Sequence, residues 1–480
     1  MILNESFVRK ALSLPVTPGS AQSAVNSSTV PYSGVVTDSR KITKNCLFVA
    51  LPGDKFDGHD FIPTAISQGA AGVICRADYV EPGLASNEPT SDTTVFFKVT
   101  DTVDAYRSLG SAWRKGFQIP LVAVAGSVGK TTTKELLAAI LAGKWKCVLK
   151  TQGSQNGFIG IPMTLLELKK EHDVAVIEVG IDEIGAMEKH MALIDATSAV
   201  LTAIGPEHLE KLVDVQTVAR EESIALSHVA RAGGMISILL DDPWIAPLEK
   251  SITCEKKQKF TLSADAKPSA TVLVGRLTES GTHLEISGLG LDAFTVELPL
   301  QGAHNAVNLL GAVAVARGLG LSAKEITEGL KTFRGATGRS ELRVLGDKTP
   351  VVCDYYNANP TSVEAGLDLL TQIAKKSRRW ACLADMLELG ANEEKFHRDI
   401  SQKLIALKIE NVLLFGPRMK WLESELKNRA FSGTLSHFES HQLLAEKLIT
   451  SYHPGDAILI KGSRGMKMEE VWKILEKARS

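Results

Sequence analysis

Cysteine is scarce in this chain: 480 residues carry six, at Cys46, Cys75, Cys147, Cys254, Cys353 and Cys382, and none forms a C-x-x-C pair. Their scatter through apolar, strand-like segments excludes a disulfide framework and reads as buried free thiols in a reducing cytoplasm. Net charge is nearly absent as well. With Lys+Arg 54 against Asp+Glu 55 the formal charge is -1, so nothing global points to nucleic acid or to an anionic membrane surface. No apolar run approaches the length of about 18 residues needed to cross a bilayer. The opening "MILNESFVRKALSLPVTPG" lacks the basic start, long apolar centre and small-residue cleavage site of a signal peptide. Internal repeats and low-complexity segments are also missing. Partners must therefore be recognised at local sites, and the expectation is a cytoplasmic monomer with no nucleic-acid partner and no membrane insertion.

The length predicts several domains, at roughly 100–200 residues each. Residues 1–112 contain the strand-like "GVVTDSR", "NCLFVAL" and "AAGVICR", the helical "FIPTAISQGA" and the polar loop "ASNEPTSDTT". Residues 113–335 alternate strands ("VAVIEVG", "SAVLTAIG", "GGMISILL") with helices, which predicts a parallel sheet with helices on its faces. Within that block "ATVLVGRLTESGTHLEISGLGLDAFTVELPL" reads instead as consecutive antiparallel strands joined by glycine turns. Residues 336–480 return to alternation with "PVVCDYY", "WACLADM", "NVLLFG" and "AILIKG", a second open α/β sheet of Rossmann-like type. The expected fold is α/β in three domains.

The stretch "LVAVAGSVGKTTTKELLAAIL", Leu121–Leu141, runs an apolar β-like segment through Gly126, Ser127, Val128, Gly129, Lys130, Thr131 and Thr132 into a helical pattern. A glycine-bearing turn after a strand lets successive backbone N–H groups converge on one anion, and the following helix N-terminus adds partial positive charge. Lys130 would reach the outer phosphates of a nucleotide and Thr131 a magnesium ion. Val124 stands where the general pattern has a glycine, so the match is to the shorter xGxxGKTT form. An ordinary strand-to-helix turn with a solvated lysine does not account for a strand before, a helix after and three consecutive threonines. Lys130 is expected to face solvent when no nucleotide is bound.

Other chemistry-bearing residues gather at strand ends, the edge where open α/β sheets bind ligands. Glu178 ends "DVAVIEVG" and His208 follows "SAVLTAIG", a carboxylate and an imidazole suited to magnesium directly or through water, although imidazole is unusual for so hard an ion. "VVCDYYNANPTS" takes a buried strand into Asp354, Asn357, Asn359 and Pro360. Its carboxylate suits a ribose hydroxyl and its amides suit peptide or phosphate oxygens; an Asn-Pro turn explains part of the run but not all of it. "ILIKGSRG" ends a strand with Lys461 and Arg464, either an anion clamp or two solvated loop cations.

These stretches resemble the ATP-dependent peptidoglycan precursor ligases. "TDSRKITKNCLFVALPGDKFDGHDFI", "AGSVGKTTTKE", "IGIPMTLLEL", "LQGAHNAVNLLGAVAVA", "GRSELR", "DYYNANPTS", "ADMLELG" and "IKGSRGMKMEEV" follow the family order through nearly the whole chain. "YNANP" is similar to the member that joins D-alanyl-D-alanine to a UDP-N-acetylmuramoyl-tripeptide. The resemblance implies ATP and Mg2+, and attack of the tripeptide carboxylate on ATP to give an acyl phosphate and ADP. The dipeptide amine then attacks the acyl carbon and phosphate leaves. It further implies a UDP-substrate domain at 1–112 with Ser39, Arg40, Asp57, Gly58 and His59, a central ATP domain at 113–335 and a ligase domain at 336–480. Asn305 and Asn308 would face adenine, Arg339 and Asp354 would reach the nucleotide, and Asn357 and Asn359 would line the junction of dipeptide and acyl phosphate. A sister ligase adding another amino acid, or a nucleotide-binding regulator without activity, are the alternatives.

Several positions depart from the family. Ala125 and Val128 replace a threonine and an asparagine of the phosphate loop, Ser154 and Gly157 replace two asparagines of a motif that retains Asn156, and Ala186 replaces a glutamate. Where relatives carry a carbamylated lysine that helps bind magnesium, this chain has Glu222. If "DVQTVAREESIALSHVA" is helical, the positions three, four and seven away from Glu222 are all apolar, while Glu221 has Asp214, Thr217 and His228 around it. Glu222 is thus expected in the buried stripe as a carboxylate for a cation. The competing expectation is a side chain that reaches solvent or pairs with Arg220 or Arg231.

Overall fold

The computed structural model describes residues 2–15, 30–53, 56–80 and 94–479; all but the last residue of the "ASNEPTSDTT" loop lies outside them. Two compact units are present. One comprises the chain up to Ile119 together with Gln155–His172 and Ala192–Asp195, and the other comprises Pro120–Ser154, Asp173–Met191 and the chain from Ala196 onward.

The first unit is built on a four-stranded parallel sheet of β1 (Val35–Val36), β2 (Leu47–Val49), β3 (Gly72–Arg76) and β4 (Val95–Val99), in that order. Strand side chains alternate between faces. Leu47, Val49, Ile74 and Phe97 accordingly enter one apolar cluster, while Phe48, Val73 and Cys75 enter another.

The second unit holds two sheets. The larger contains β5 (Leu121–Ala125), β6 (Val148–Lys150), β7 (Val174–Glu178), β8 (Ser198–Leu201), β9 (Met235–Leu239), β10 (Lys257–Thr261), β11 (Val272–Leu277), β12 (His283–Gly288) and β13 (Leu291–Glu297), ordered β13-β12-β11-β10-β9-β8-β5-β7-β6. Pairing is parallel from β6 across to β11 and antiparallel from β11 to β13. The central strands β5, β7, β8 and β9 are buried at every position, as continuous apolar runs covered on both faces must be. β12 alternates exposed and buried residues along its first half, as a one-sided antiparallel strand does. The chain leaves β5 toward β6 on one side and reaches β8 on the other. β5 is therefore the switch point, where strand ends open a crevice for ligands.

The third sheet is β14 (Glu341–Val344), β15 (Pro350–Asp354), β16 (Arg379–Ala384), β17 (Asn411–Phe415), β18 (Thr434–Phe438) and β19 (Ala457–Lys461), ordered β14-β15-β19-β16-β17-β18 and parallel except for β14. Val352, Leu383, Leu414 and Leu459 line one face, while Val351, Cys382, Leu413 and Ile460 line the other. Strands β4, β6, β14 and β18 stand at sheet edges and β10 is lysine-rich, so none carries the apolar run that announces the central strands. All six thiols are free, four of them buried and Cys147 and Cys254 only partly so. No helix of the described residues is long and apolar enough to cross a membrane.

One polar anchor fixes the third sheet. Asp456, ahead of β19, accepts from the indole of buried Trp380 on β16 at 2.9 Å, from Arg378 Nη2 at 2.8 Å and from the His453 amide at 2.9 Å. Truncation leaves a buried indole N–H without an acceptor, which costs about 2–3 kcal/mol. Asp456→Ala is expected to lower the urea midpoint of the tryptophan-fluorescence transition accordingly, and Asp456→Asn, which keeps an acceptor oxygen, by less than half as much.

Candidate active site

The turn after β5 is held between two neighbours. Gly126 (φ +118°) would place a Cβ 2.5 Å from the Thr202 hydroxyl, and Gly129 (φ +93°) would place one 2.3 Å from Asn308 Oδ1, so only glycine fits either position. Three of the turn's own amides are committed within the protein. Ser127 N and Val128 N donate to Ala203 O at 2.7 and 3.2 Å, and Gly126 N donates to Glu222 Oε2 at 2.8 Å. This corrects the expectation that the whole turn cradles an anion. The amides left for that task are those of Gly129 and of the first turn of the helix Lys130–Leu141, which have no partner within the helix.

Lys130 does not face solvent. Its ammonium folds back onto Gly126 O, onto Ser127 O at 3.3 Å and onto Glu207 Oε2 at 3.2 Å, leaving the side chain 13% exposed. Burial pulls its pKa down, but the fields of Glu207, Glu222 and Glu178 reverse this and raise it. Beside it Thr131 Oγ1 donates to Glu178 Oε1 at 3.0 Å and lies 3.2 Å from Ser154 Oγ, which in turn accepts from Arg339 Nη2 at 3.0 Å. A second, fully buried lysine supports this wall: Lys134 donates to Thr151 O at 2.8 Å and Gly153 O at 2.5 Å, with Glu178 Oε2 3.4 Å away.

Asp214 caps the helix Val215–Arg231 by accepting from Thr217 N at 2.7 Å, and the helix buries Val218, Ala225, Leu226 and Val229 together with Glu222, which is 0% exposed. The arginine pairings do not form, since Arg220 lies 3.9 Å from Glu221 and Arg231 3.5 Å from Glu188. Glu222 Oε1 and Glu207 Oε1 are both buried without a donor, and the Glu222 carboxyl stands in the field of Glu207, an arrangement that a proton or a cation relieves. Burial pushes the Glu222 pKa up to about 8; Lys130 lowers it and Glu207 raises it. Glu221 is buried too, contrary to the contrast drawn from its neighbours, because it accepts from Gly185 N at 2.7 Å.

His208 (φ +48°) precedes the short helix Leu209–Leu212 and sets its Nδ1 2.5 Å from Glu388 Oε2. Burial lowers its pKa, but the bond to Glu388 and the field of Glu207 outweigh that and raise it. The four residues read as metal ligands are therefore distributed: Thr131 touches Glu178, Glu222 holds the Gly126 amide, and His208 touches Glu388. Among the described residues no three His, Cys, Asp or Glu side chains form a ready-made metal cluster.

Three family profiles match the chain in order: the Mur ligase family catalytic domain at residues 31–112, the Mur ligase middle domain at 124–316, and the Mur ligase glutamate ligase domain at 338–464. The UDP-N-acetylmuramoyl-tripeptide–D-alanyl-D-alanine ligase of Bacillus subtilis is 30% identical over 92% of this chain and 93% of its own. The enzyme of that name from Escherichia coli is 31% identical over 93% and 94%. The chain belongs to the Mur ligase family. MurF from Acinetobacter baumannii superposes with a TM-score of 0.82 at 25% identity over 99% of both chains. MurF ligase from Thermotoga maritima in complex with ADP gives 0.79 at 26% identity, over 92% of this chain and 97% of that one.

In this Mur ligase the remaining candidates take distinct places. Asn305 and Asn308 are buried on the helix Ala303–Gly318, Asn305 donating to Gln301 O at 2.8 Å and Asn308 packing on Gly129. Arg339 lies 4.1 Å over the Tyr356 ring. Asp354 accepts from Ser340 N at 3.0 Å and pairs at 2.5 Å with Lys461, which is 1% exposed and also donates to Asn357 O at 3.2 Å. Lys461 is thus drawn into the sheet end rather than held open as a clamp, and Arg464 pairs with Glu469 at 2.9 Å. Asn359 caps the helix Pro360–Ala374 in a capping box with Ser362. In the first unit Ser39 and Arg40 lie in the turn Ser39–Lys41, with Arg40 paired to Asp38, and Asn156 lies in the segment Gln155–His172. Asp57 caps the turn containing Gly58 and fixes buried His59 at 2.6 Å, whose Nε2 accepts from Arg76 N. Glu207, absent from the sequence candidates, is the main omission; its adjacency to His208 was the available signal.

The Glu222 pKa links stability to pH. A carboxyl held near 8 in the folded chain, against 4.5 ordinarily, keeps a proton that the unfolded chain releases. That stabilisation is complete below the unfolded value and is lost as pH rises through the folded one, at up to roughly 1.4 kcal/mol per pH unit. Glu222→Gln has no proton to lose, and its amide can donate to Glu207. Urea midpoints of the metal-free proteins are expected to fall between about pH 5 and 8 for wild type and to stay flatter for the variant; parallel profiles would contradict the assignment.

Proposed function

We propose that this Mur ligase joins D-alanyl-D-alanine to a UDP-N-acetylmuramoyl-tripeptide at the expense of ATP, in peptidoglycan precursor synthesis. The observation that carries the reading is the agreement of relatives bearing that one name along more than nine-tenths of the chain, combined with a phosphate turn whose helix amides and lysine are in place. The division into a UDP-substrate domain (1–112), an ATP domain (113–335) and a ligase domain (336–480) is supported by a separate sheet in each. Free thiols and a nucleotide-linked substrate fit a cytoplasmic enzyme.

In the reaction the tripeptide carboxylate attacks the γ-phosphorus and ADP departs, leaving an acyl phosphate. The dipeptide amine then attacks the acyl carbon, loses a proton, and phosphate leaves as the amide forms. Such chemistry needs alignment and charge neutralisation rather than a covalent nucleophile. The amides of Lys130, Thr131 and Thr132 bind the terminal phosphates, and Lys130 leaves Glu207 to reach them. Arg339 approaches from the third sheet through Ser154. Asn305 and Asn308 back the nucleotide pocket. Asp354 acts with Lys461 as a paired support for the "YNANP" turn, where Asn357 and Asn359 meet the dipeptide.

Magnesium suits these residues. The donor-less oxygens of Glu207 and Glu222 are a pair of buried carboxylates that a cation would compensate, and Thr131 with Glu178 offers a hydroxyl and a third carboxylate. When bound, Mg2+ supplies neutralisation of phosphate charge. His208 adds an imidazole at the same strand edge.

The reading is tested by ADP release with ATP and magnesium, scanning UDP-muramoyl peptides against D-alanyl-D-alanine and single amino acids; turnover confined to single amino acids would replace it with a sister ligase. Lys130→Ala is expected to lose at least about 100-fold in ADP release. Because its ammonium also compensates Glu207 and Glu222, some loss of stability accompanies the effect, and ligation near the wild-type rate would remove the phosphate role. Glu222 is expected to act without carbon dioxide. Removing and restoring bicarbonate should leave wild type unchanged, while Glu222→Gln is severely impaired under both conditions; a fully active glutamine variant would rule out the cation role.

A further inference from the structure

The segment "ADMLELG", Ala384–Gly390, follows β16 in the third sheet and has no assigned part in the chemistry. Its Glu388 reaches the loop after β8 in the central sheet and meets it at two adjacent residues, His208 and Leu209. The carboxylate Oε2 is 2.5 Å from Nδ1, and the backbone oxygen accepts from Leu209 N at 2.9 Å. Both residues adopt left-handed backbone without being glycine, at φ +48° for His208 and +64° for Glu388. Paired strain of this kind persists where surrounding structure imposes it and clusters at functional sites. The pair is also poorly placed to serve stability, since the side chains are 34% and 56% exposed, a setting in which ion pairs contribute little.

We infer that Glu388 is a positioning residue for His208, fixing the tautomer and direction of its ring from the third sheet. A carboxylate on Nδ1 holds the proton there, and in the neutral ring this leaves the Nε2 lone pair as the only ligating position. Among the described residues Nε2 has no hydrogen-bond partner, and His208 lies in the electrostatic field of Lys130 and Glu207. The ring is therefore presented to the phosphate and cation region only when the loop from β16 is docked on the loop from β8. The inference rests on the proposal that His208 serves the cation.

The experiment has two readouts that do not depend on turnover, applied to the full chain. The first is the 15N NMR pattern of the His208 ring without metal, assigned by its loss in His208→Ala. The Nδ1–H tautomer is expected in wild type and in Glu388→Gln, which keeps an acceptor, with reversion to Nε2–H in Glu388→Ala. The second is Mn2+ affinity with ADP bound, expected to weaken by about 10–100-fold in Glu388→Ala and by less in Glu388→Gln. An unchanged tautomer together with unchanged Mn2+ affinity in Glu388→Ala would overturn the inference. Mn2+ affinity unchanged in His208→Ala would instead overturn the cation role of His208, and the tautomer would then judge Glu388 alone. If Glu388→Ala does not fold, Glu388→Leu in the same two measurements takes its place.

Discussion

One ammonium holds the centre of this molecule together. Lys130 stands in the field of Glu178, Glu207 and Glu222, and burial of those carboxylates against the turn after β5 is tolerable because a cation lies among them. In the absence of nucleotide the lysine is turned inward onto its own loop and Glu207. In the proposed reaction a terminal phosphate would compete with Glu207 for that ammonium, and the carboxylate it leaves would call for another cation.

The sheet topology explains why these groups meet. β5 lies between β7 and β8, so the glycine turn, Glu178 and the segment leading to His208 all emerge at one edge. The helix Val215–Arg231 then crosses back toward β9 with Glu222 against Gly126. Its carboxylate takes one of the turn's amides, so the proposed phosphate site is left with the helix N-terminus and Lys130.

What could be read in advance followed physical strength of signal. Fully buried strands such as "LVAVA" and the "AILI" of β19 are continuous apolar runs, and the phosphate turn needs glycine at two positions, so both are written in one dimension. The position of Glu222 followed from helical period because the stripe around it is apolar on every side. Glu221 did not follow, because its burial comes from the loop ending at Gly185, a contact that no periodicity along one helix encodes. The pairing of Asp354 with Lys461 depends on β15 and β19 lying side by side although they are far apart in sequence. Glu207 and Glu388 escaped for the same reason: their importance is a matter of which loops the sheets bring together.

The departures from the family acquire a common logic at this edge. Val128 forms a backbone bridge with Ala203, so the loop is held by main chain where an amide side chain is absent. Ser154 links Thr131 to Arg339, a short hydroxyl bridging two groups. Ala186 lacks the carboxylate expected after Gly185, yet Glu221 sets a carboxylate on the Gly185 amide from the neighbouring helix. Glu222, one residue further along that helix, sets its carboxylate on the Gly126 amide of the phosphate turn. Adjacent residues of a helix point about 100° apart, so one turn of Val215–Arg231 can serve both positions at once. Both carboxylates are costly to bury, and each is held by a backbone amide, Glu221 by that of Gly185 and Glu222 by that of Gly126, so this one turn ties the helix to two separate loops of the site.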